Sequence, residues 1–235
     1  MPSTSLRFLD EAVYNTIFNV FPIPTMKQLP FVLLALTILP SQGATVISVV
    51  GLPVPDNSPI GLSITFPVTS TIVSITELSV ILDMSGGWAG DMYSYITHDS
   101  GFSVLLNRPG RTLGVPDGSG ATSLLVSFAD NGLLDIHTGI ANDGDVSGVF
   151  QPDARAVDPA NSVGTSPRTA YLSSFNGLNP NGLWSLYVAD LATGDTMVLN
   201  SFALNIVGSV VPEPSASLLA AAGVGLVLRR RRGKE

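Results

Sequence analysis

The sequence predicts an all-β protein, a jelly-roll-like antiparallel β-sandwich carried between two terminal targeting segments. Two observations in the body predict the sandwich. Between Ala44 and Val210, Gly, Pro, Asn and Asp recur about every ten residues between short β-branched runs, which is the punctuation of strands joined by tight turns. The same stretch holds no amphipathic helix longer than three turns, so the βαβ spacing of an α/β sheet is missing. A third observation frames them: both ends of the chain carry uncharged apolar runs beside basic residues.

The first such run follows Met26-Lys27. Leu29 to Leu39 is apolar except for Pro30 and Thr37, and Ser41-Gln42-Gly43-Ala44 follows. One positive charge, a short apolar core and small exit residues describe a secretory signal peptide over 26–44, cut by signal peptidase after Gly43 or Ala44. A signal peptide normally starts a chain. Residues 1–25 therefore read as a misplaced start ahead of Met26, or as a long leading region, which Asp10 and Glu11 disfavour.

Residues 45–210 form the body, long enough for one domain with its own core. Expected strands are Thr45–Val50, Leu62–Phe66, Ile72–Leu82, Asp91–His98, Phe102–Leu106, Ser123–Phe128, Trp184–Ala189 and Val198–Val207. The last is the clearest, with Phe202, Leu204 and Ile206 on one face and Ser201, Ala203 and Asn205 on the other. The body carries fourteen carboxylates against Arg108, Arg111, Arg155 and Arg168, a net charge of −10 with histidines neutral. That balance disfavours nucleic acid and anionic membrane surfaces as partners, because both need a cationic footprint, and leaves divalent cations open. The chain has no cysteine, so packing alone, or packing aided by calcium, must hold an exported domain together.

Residues 211–235 begin with Pro212-Glu213-Pro214, which can continue neither helix nor central strand. An uncharged run from Ser215 to Leu228 follows, then Arg229, Arg230, Arg231 and Arg232. At about 14 residues the run falls short of the roughly 20 that cross a bilayer comfortably, and the arginines would hold its end on the cytoplasmic side.

This order resembles the PEP-CTERM sorting signal, in which Pro-Glu-Pro precedes a short transmembrane helix and a basic tail. The resemblance implies that an exosortase recognises the signal, cuts near it, and releases or re-anchors the protein outside the inner membrane. An uncleaved tail anchor is the competing reading, but it needs no Pro-Glu-Pro and favours a longer apolar run.

The body shows a second pattern: Val54-Pro55-Asp56-Asn57 with Gly61 after it, Gly90-Asp91-Met92, Phe102 to Pro109-Gly110, and Ser127-Phe128-Ala129-Asp130. It ends with Phe175-Asn176-Gly177, Asn181-Gly182-Leu183-Trp184-Ser185-Leu186-Tyr187-Val188-Ala189-Asp190, and Ser201 to Ile206. Over about residues 50–208 this resembles the P (Homo B) domain that follows the catalytic domain in kexin-like and other subtilisin-type proteases. The resemblance implies a jelly-roll sandwich without catalytic residues of its own. Arg111 after the Pro-Gly turn and Ala129 in place of an acid depart from the family pattern.

Candidate chemistry is sparse. His98 and His137 are the chain's histidines, and no Gly-x-Ser-x-Gly places a nucleophile beside either. His137 lies two residues after Asp135, which would put both on one face of a strand, and is expected as a surface or turn histidine; His98 beside Asp99 is expected to be equally plain. Asn142-Asp143-Gly144-Asp145 is oxygen-rich but lacks EF-hand spacing, which favours a solvated turn over a calcium loop. Asp91, Asp130 and Asp190 fall at family positions where some such acids hold calcium between strand-end loops, and turn capping explains them equally well. Trp184 is expected in the core beside Leu186 and Val188. Trp88, among glycines, is expected at the surface.

The chain is thus read as an exported, non-enzymatic protein of the cell surface or extracellular matrix, held briefly at the inner membrane. Two other readings stand beside it: a carbohydrate- or protein-recognition module built around Trp88 and Asn142, Asp143 and Asp145, with extracellular polysaccharide or another surface protein as partner, and an accessory subunit of a separately encoded protease.

Overall fold

The computed structural model describes residues 41–211 and Gly223. Most of the expected signal peptide lies outside these residues, as do Pro212, Glu213, Pro214, Arg229, Arg230, Arg231 and Arg232. Among the described residues no helix is long and apolar enough to cross a membrane.

Among the described residues ten strands form two sheets: β1 (Ser41–Pro53), β2 (Leu62–Val68), β3 (Ile72–Ser85), β4 (Met92–His98), β5 (Gly101–Asn107), β6 (Gly120–Phe128), β7 (Leu134–Asp135), β8 (Asp143–Gln151), β9 (Gly182–Asp190) and β10 (Val198–Val210). The larger sheet runs β1-β10-β3-β6-β8-β7 and the smaller β2-β9-β4-β5. All eight strands read from the sequence are present. The alternation of β10 buries Phe202, Leu204 and Ile206 as expected.

The sheets face each other across one apolar core, because each presents an alternating inner row. Phe66 on β2 meets Phe202 on β10 with ring centroids 4.9 Å apart. Trp184 is fully buried, stacked between Phe175 at 5.0 Å and His98 at 4.3 Å.

The structure departs from the expected sandwich in several respects, the short β7 being one. The sandwich is not wholly antiparallel: β8 pairs parallel with both β6 and β7. And β8 itself was hidden, because Asp143, Gly144, Asp145 and Gly148 disguise a strand that points inward only at Val146 and Phe150. Also, β1 begins at Ser41, so that Gln42, Gly43 and Ala44 at the expected leader exit pair with Gly208, Val207 and Ile206.

The segment from Pro152 to Tyr171 lies against the outer edge of β5. Asp153 and Ala154 donate backbone N–H groups to Leu105 and Val104, and Val104 donates to Ala170. Below this segment sits a buried ionic network. Arg155, 2% exposed, bonds Asp135 through Nη2 at 2.7 Å and Asp153 through Nη1 at 3.2 Å. Burial works against the Arg155 charge, but the two carboxylates outweigh it and hold the guanidinium above its ordinary pKa.

Candidate functional site

Five loops meet at the end of the sandwich where β4 and β6 begin. The 3₁₀ turn Ala89–Asp91 enters β4, and Gly90 donates its N–H to Ser119 O at 2.7 Å, fixing that turn against the approach to β6. Only glycine fits at position 90, since a Cβ there would strike the carbonyl of Asp117. Val54 donates to Met197 O at 2.8 Å and Ser58 to Asp190 O at 2.8 Å, which ties in the loops before β2 and after β9.

The corner is acidic. Asp91 and Asp190 are neighbours because Met92 pairs with Asp190 across β4 and β9 and Leu191 donates to Asp91 O at 3.0 Å. Arg108 answers Asp91 with Nη2 at 3.0 Å from Oδ1, and its Nε donates to Gly90 O at 2.9 Å. Burial still carries the Asp91 carboxyl above its usual range, against the pull of Arg108.

Asp190 is the more telling group. It is fully buried, its Oδ1 accepts a long 3.4 Å bond from Ala192 N, and its Oδ2 has no partner among the described residues. Burial, reinforced by the charges of Asp91 and Asp56, pushes its carboxyl up to about 6. A buried acid held only weakly by the backbone N–H groups of Ala192 and Met197, near two further acids, can keep a proton or receive a cation.

Trp88 stands at the same corner. It is half-buried rather than exposed, and its indole Nε1 donates to Asp117 O at 3.1 Å. Its ring packs over Gly120, where a Cβ would lie 2.8 Å from both Trp88 Cη2 and Asn142 O. Fold and pairing thus bring Trp88, Asn142 and Asp143 together, with Asp143 opposite Gly120. Asp143, Gly144 and Asp145 are not the solvated turn expected of them: they open β8 and remain exposed.

Asp130 does not join Asp91 and Asp190. Gly90 is bonded beside the start of β6, whereas Asp130 lies beyond its far end, about 30 Å of strand away at roughly 3.3 Å per residue. There its carboxylate accepts from Leu172 N at 3.0 Å and Ser173 N at 2.7 Å, capping the 3₁₀ turn Leu172–Phe175. It borders a groove of about 230 Å³ lined by Glu77, Asn131 and Asn176 together with the apolar Leu78 and Leu172. Among the described residues no three carboxylate or imidazole groups are arranged to hold a metal ion by themselves. A cation at the acidic corner would depend on Asp190 and Asp91 together with oxygens that are not carboxylates.

Neither histidine is a plain surface residue. His137 lies in the single turn α1 (Ile136–Gly139), not on a strand with Asp135, and Asp135 caps that turn by accepting from His137 N at 3.0 Å. It is 1% exposed, with Nδ1 2.8 Å from Asp153 Oδ2 and Nε2 2.9 Å from Arg111 O. His98 is buried with Nδ1 2.9 Å from Leu183 O and Nε2 2.7 Å from Asn179 O. Both ring nitrogens of both residues are occupied by protein acceptors. The signal for His137 was a local one: Asp-Ile-His-Thr fits a residue capping the turn it precedes.

No family model and no curated protein matches the sequence. Among solved structures, the chain is similar to the serine protease of Aeromonas sobria, at TM-score 0.40 and 11% identity over 73% of this chain and 28% of that one. It is also similar to a chain in the complex of that protease with its chaperone, at TM-score 0.38 and 14% identity, covering 74% of this chain and 27% of that one. In both cases this chain spans less than a third of the length of the chain it matches.

Proposed function

We propose that this chain is an exported, non-enzymatic component of the cell surface or extracellular matrix, with a body of the P-domain, jelly-roll type and a C-terminal signal cut by an exosortase. The observation that carries the reading is the order Pro212-Glu213-Pro214, uncharged run, Arg229 to Arg232. A body with its own core, a strongly acidic charge and no cysteine to be oxidised supports life outside the cell. The engagement of both ring nitrogens at His98 and His137 supports the absence of catalysis, since neither ring is free to serve as a base. Mass spectrometry of the exported protein tests the proposal. A C-terminus near Pro212 to Pro214 is expected, and retention of Arg229 to Arg232 overturns it.

A recognition role is the second reading, favoured by the convergence of Trp88, Asn142 and Asp143 around Gly120. Trp184 is fully buried, so a polysaccharide bound at this corner would change tryptophan fluorescence through Trp88. A Trp88→Phe chain would lose that response.

A structural calcium belongs to the first reading. Asp190 and Asp91 would hold it, and it would supply positive charge against the weakly held carboxylate of Asp190.

A further inference from the structure

We propose that β1 is a self-association edge, through which two copies of the chain pair β1 antiparallel to β1 and join their six-stranded sheets into one. Every open sheet offers unpaired backbone groups at its edges, and proteins ordinarily block them with proline, charge or a covering segment. Three of the four edges here are blocked in one of these ways. β5 is covered by the backbone of Asp153, Ala154 and Ala170. β2 carries Pro67 within seven residues. At the opposite edge of the larger sheet, β7 is two residues long, and the length of β8 beyond it opens with the exposed acids Asp143 and Asp145.

β1 is different. It is thirteen residues long and pairs with β10 on one side, and among the described residues no strand pairs with its other side. From Ser41 to Pro53 it contains no charged residue, in a body with fourteen carboxylates. Proline appears only at its last position. The bulge between Val49 and Leu52, with Gly51 at φ 61°, confines the regular ladder to Ser41 through Val49. Towards the end of that ladder Ile47 is 71% exposed, which is costly for a β-branched apolar side chain on an edge.

A second copy is the occupant that this chemistry selects. Two bodies of net charge −10 repel wherever their acids meet, and the uncharged edge is where they can approach without opposing like charges. A two-fold axis at Ile47 sets Ile47 against Ile47, Val46 against Ser48 and Thr45 against Val49, so the pairing uses the regular ladder from Thr45 to Val49 and stops at the bulge. Directly opposed residues share a face, so each Ile47 would cover the other. The contact is isologous and closes at two copies.

Sedimentation of the full-length chain tests this, with concentration-dependent dimer formation expected. Ile47→Lys, a change at an exposed side chain, should weaken the dimer by about tenfold or more, roughly 1.4 kcal/mol, while circular dichroism and the thermal midpoint stay unchanged. Because the chain has no cysteine, an Ile47→Cys chain supplies a unique thiol. Oxidation should link two copies through it, whereas a Leu183→Cys chain, modified at a 66% exposed position on β9, should stay unlinked. A wild-type chain that sediments as a monomer overturns the proposal, including by burial of the edge under another segment of the same chain. So does a dimer that Ile47→Lys leaves intact, or equal cross-linking of the two cysteine variants.

Discussion

The imidazole of His98 lies parallel to the indole of Trp184, 4.3 Å away and tilted by 4°, while its two nitrogens reach the carbonyls of Leu183 and Asn179. Trp184 in turn donates its Nε1–H to Pro180 O at 2.8 Å. One stacked pair therefore binds the end of β4 to the turn that leads into β9. His98→Leu keeps the volume but leaves two carbonyls facing an apolar group, and should cost about 1–3 kcal/mol of stability. Trp184→Ala should cost about 3–5 kcal/mol through the cavity it opens. Urea unfolding measures both, and a His98→Leu chain as stable as wild type would refute a structural role for the stack.

Arg155 should be among the most sensitive surface-remote positions. Arg155→Met would leave the fully buried Asp153 with only His137 and Asn107 N as partners, and Asp135 with the more distant Arg168 at 3.8 Å, a loss of about 3 kcal/mol or more. Arg155→Lys should recover little, because one ammonium cannot reproduce the bonds from Nε, Nη1 and Nη2 to Val163 O, Asp153, Asp135 and Gly164 O. Adding Asp153→Asn to Arg155→Met should restore part of the stability, and chemical denaturation of the three chains makes the comparison.

Asp190 predicts a pH dependence with a definite sign. Its carboxyl titrates at about 6 in the fold against an ordinary 3.8, so between these values the native state holds a proton that the unfolded chain has released. Stability from this group is complete below about 4 and is lost as the pH rises to about 6. At about 1.4 kcal/mol per pH unit, the loss between these values is on the order of 3 kcal/mol. Asp190→Asn should flatten this part of the stability–pH curve, and an unchanged slope would show that another group is responsible.

Calcium would act on the same oxygen in the opposite sense. A cation held by Asp190 and Asp91 favours the ionised carboxylates, so added calcium should raise the thermal midpoint at pH 7 and a chelator should lower it. Asp190→Asn should abolish the difference. A midpoint that a chelator leaves unchanged in the wild-type chain removes calcium from the account.

Eight strands were legible in the sequence because alternation and turn residues are local signals, and β10 shows the alternation in its plainest form. β8 was not, because parallel pairing with β6 supplies what its glycines and aspartates lack. The acidic corner was half legible. Asp91 and Asp190 are adjacent through strand register, a relation no linear spacing encodes, and Asp130 falls at the opposite end for the same reason. His137 was expected at the surface or in a turn; it is in a turn but enclosed, because nothing in its neighbourhood announces Asp153, sixteen positions away.

By itself the sequence determined the strand rhythm, the acidic body without cysteine and the two terminal segments, since composition and short-range pattern are complete in the linear chain. Only the tertiary structure decided which acids meet, which histidines are enclosed and which sheet edge no described strand pairs with. Those are properties of register and packing, and they come into being when strands distant in the chain are laid side by side.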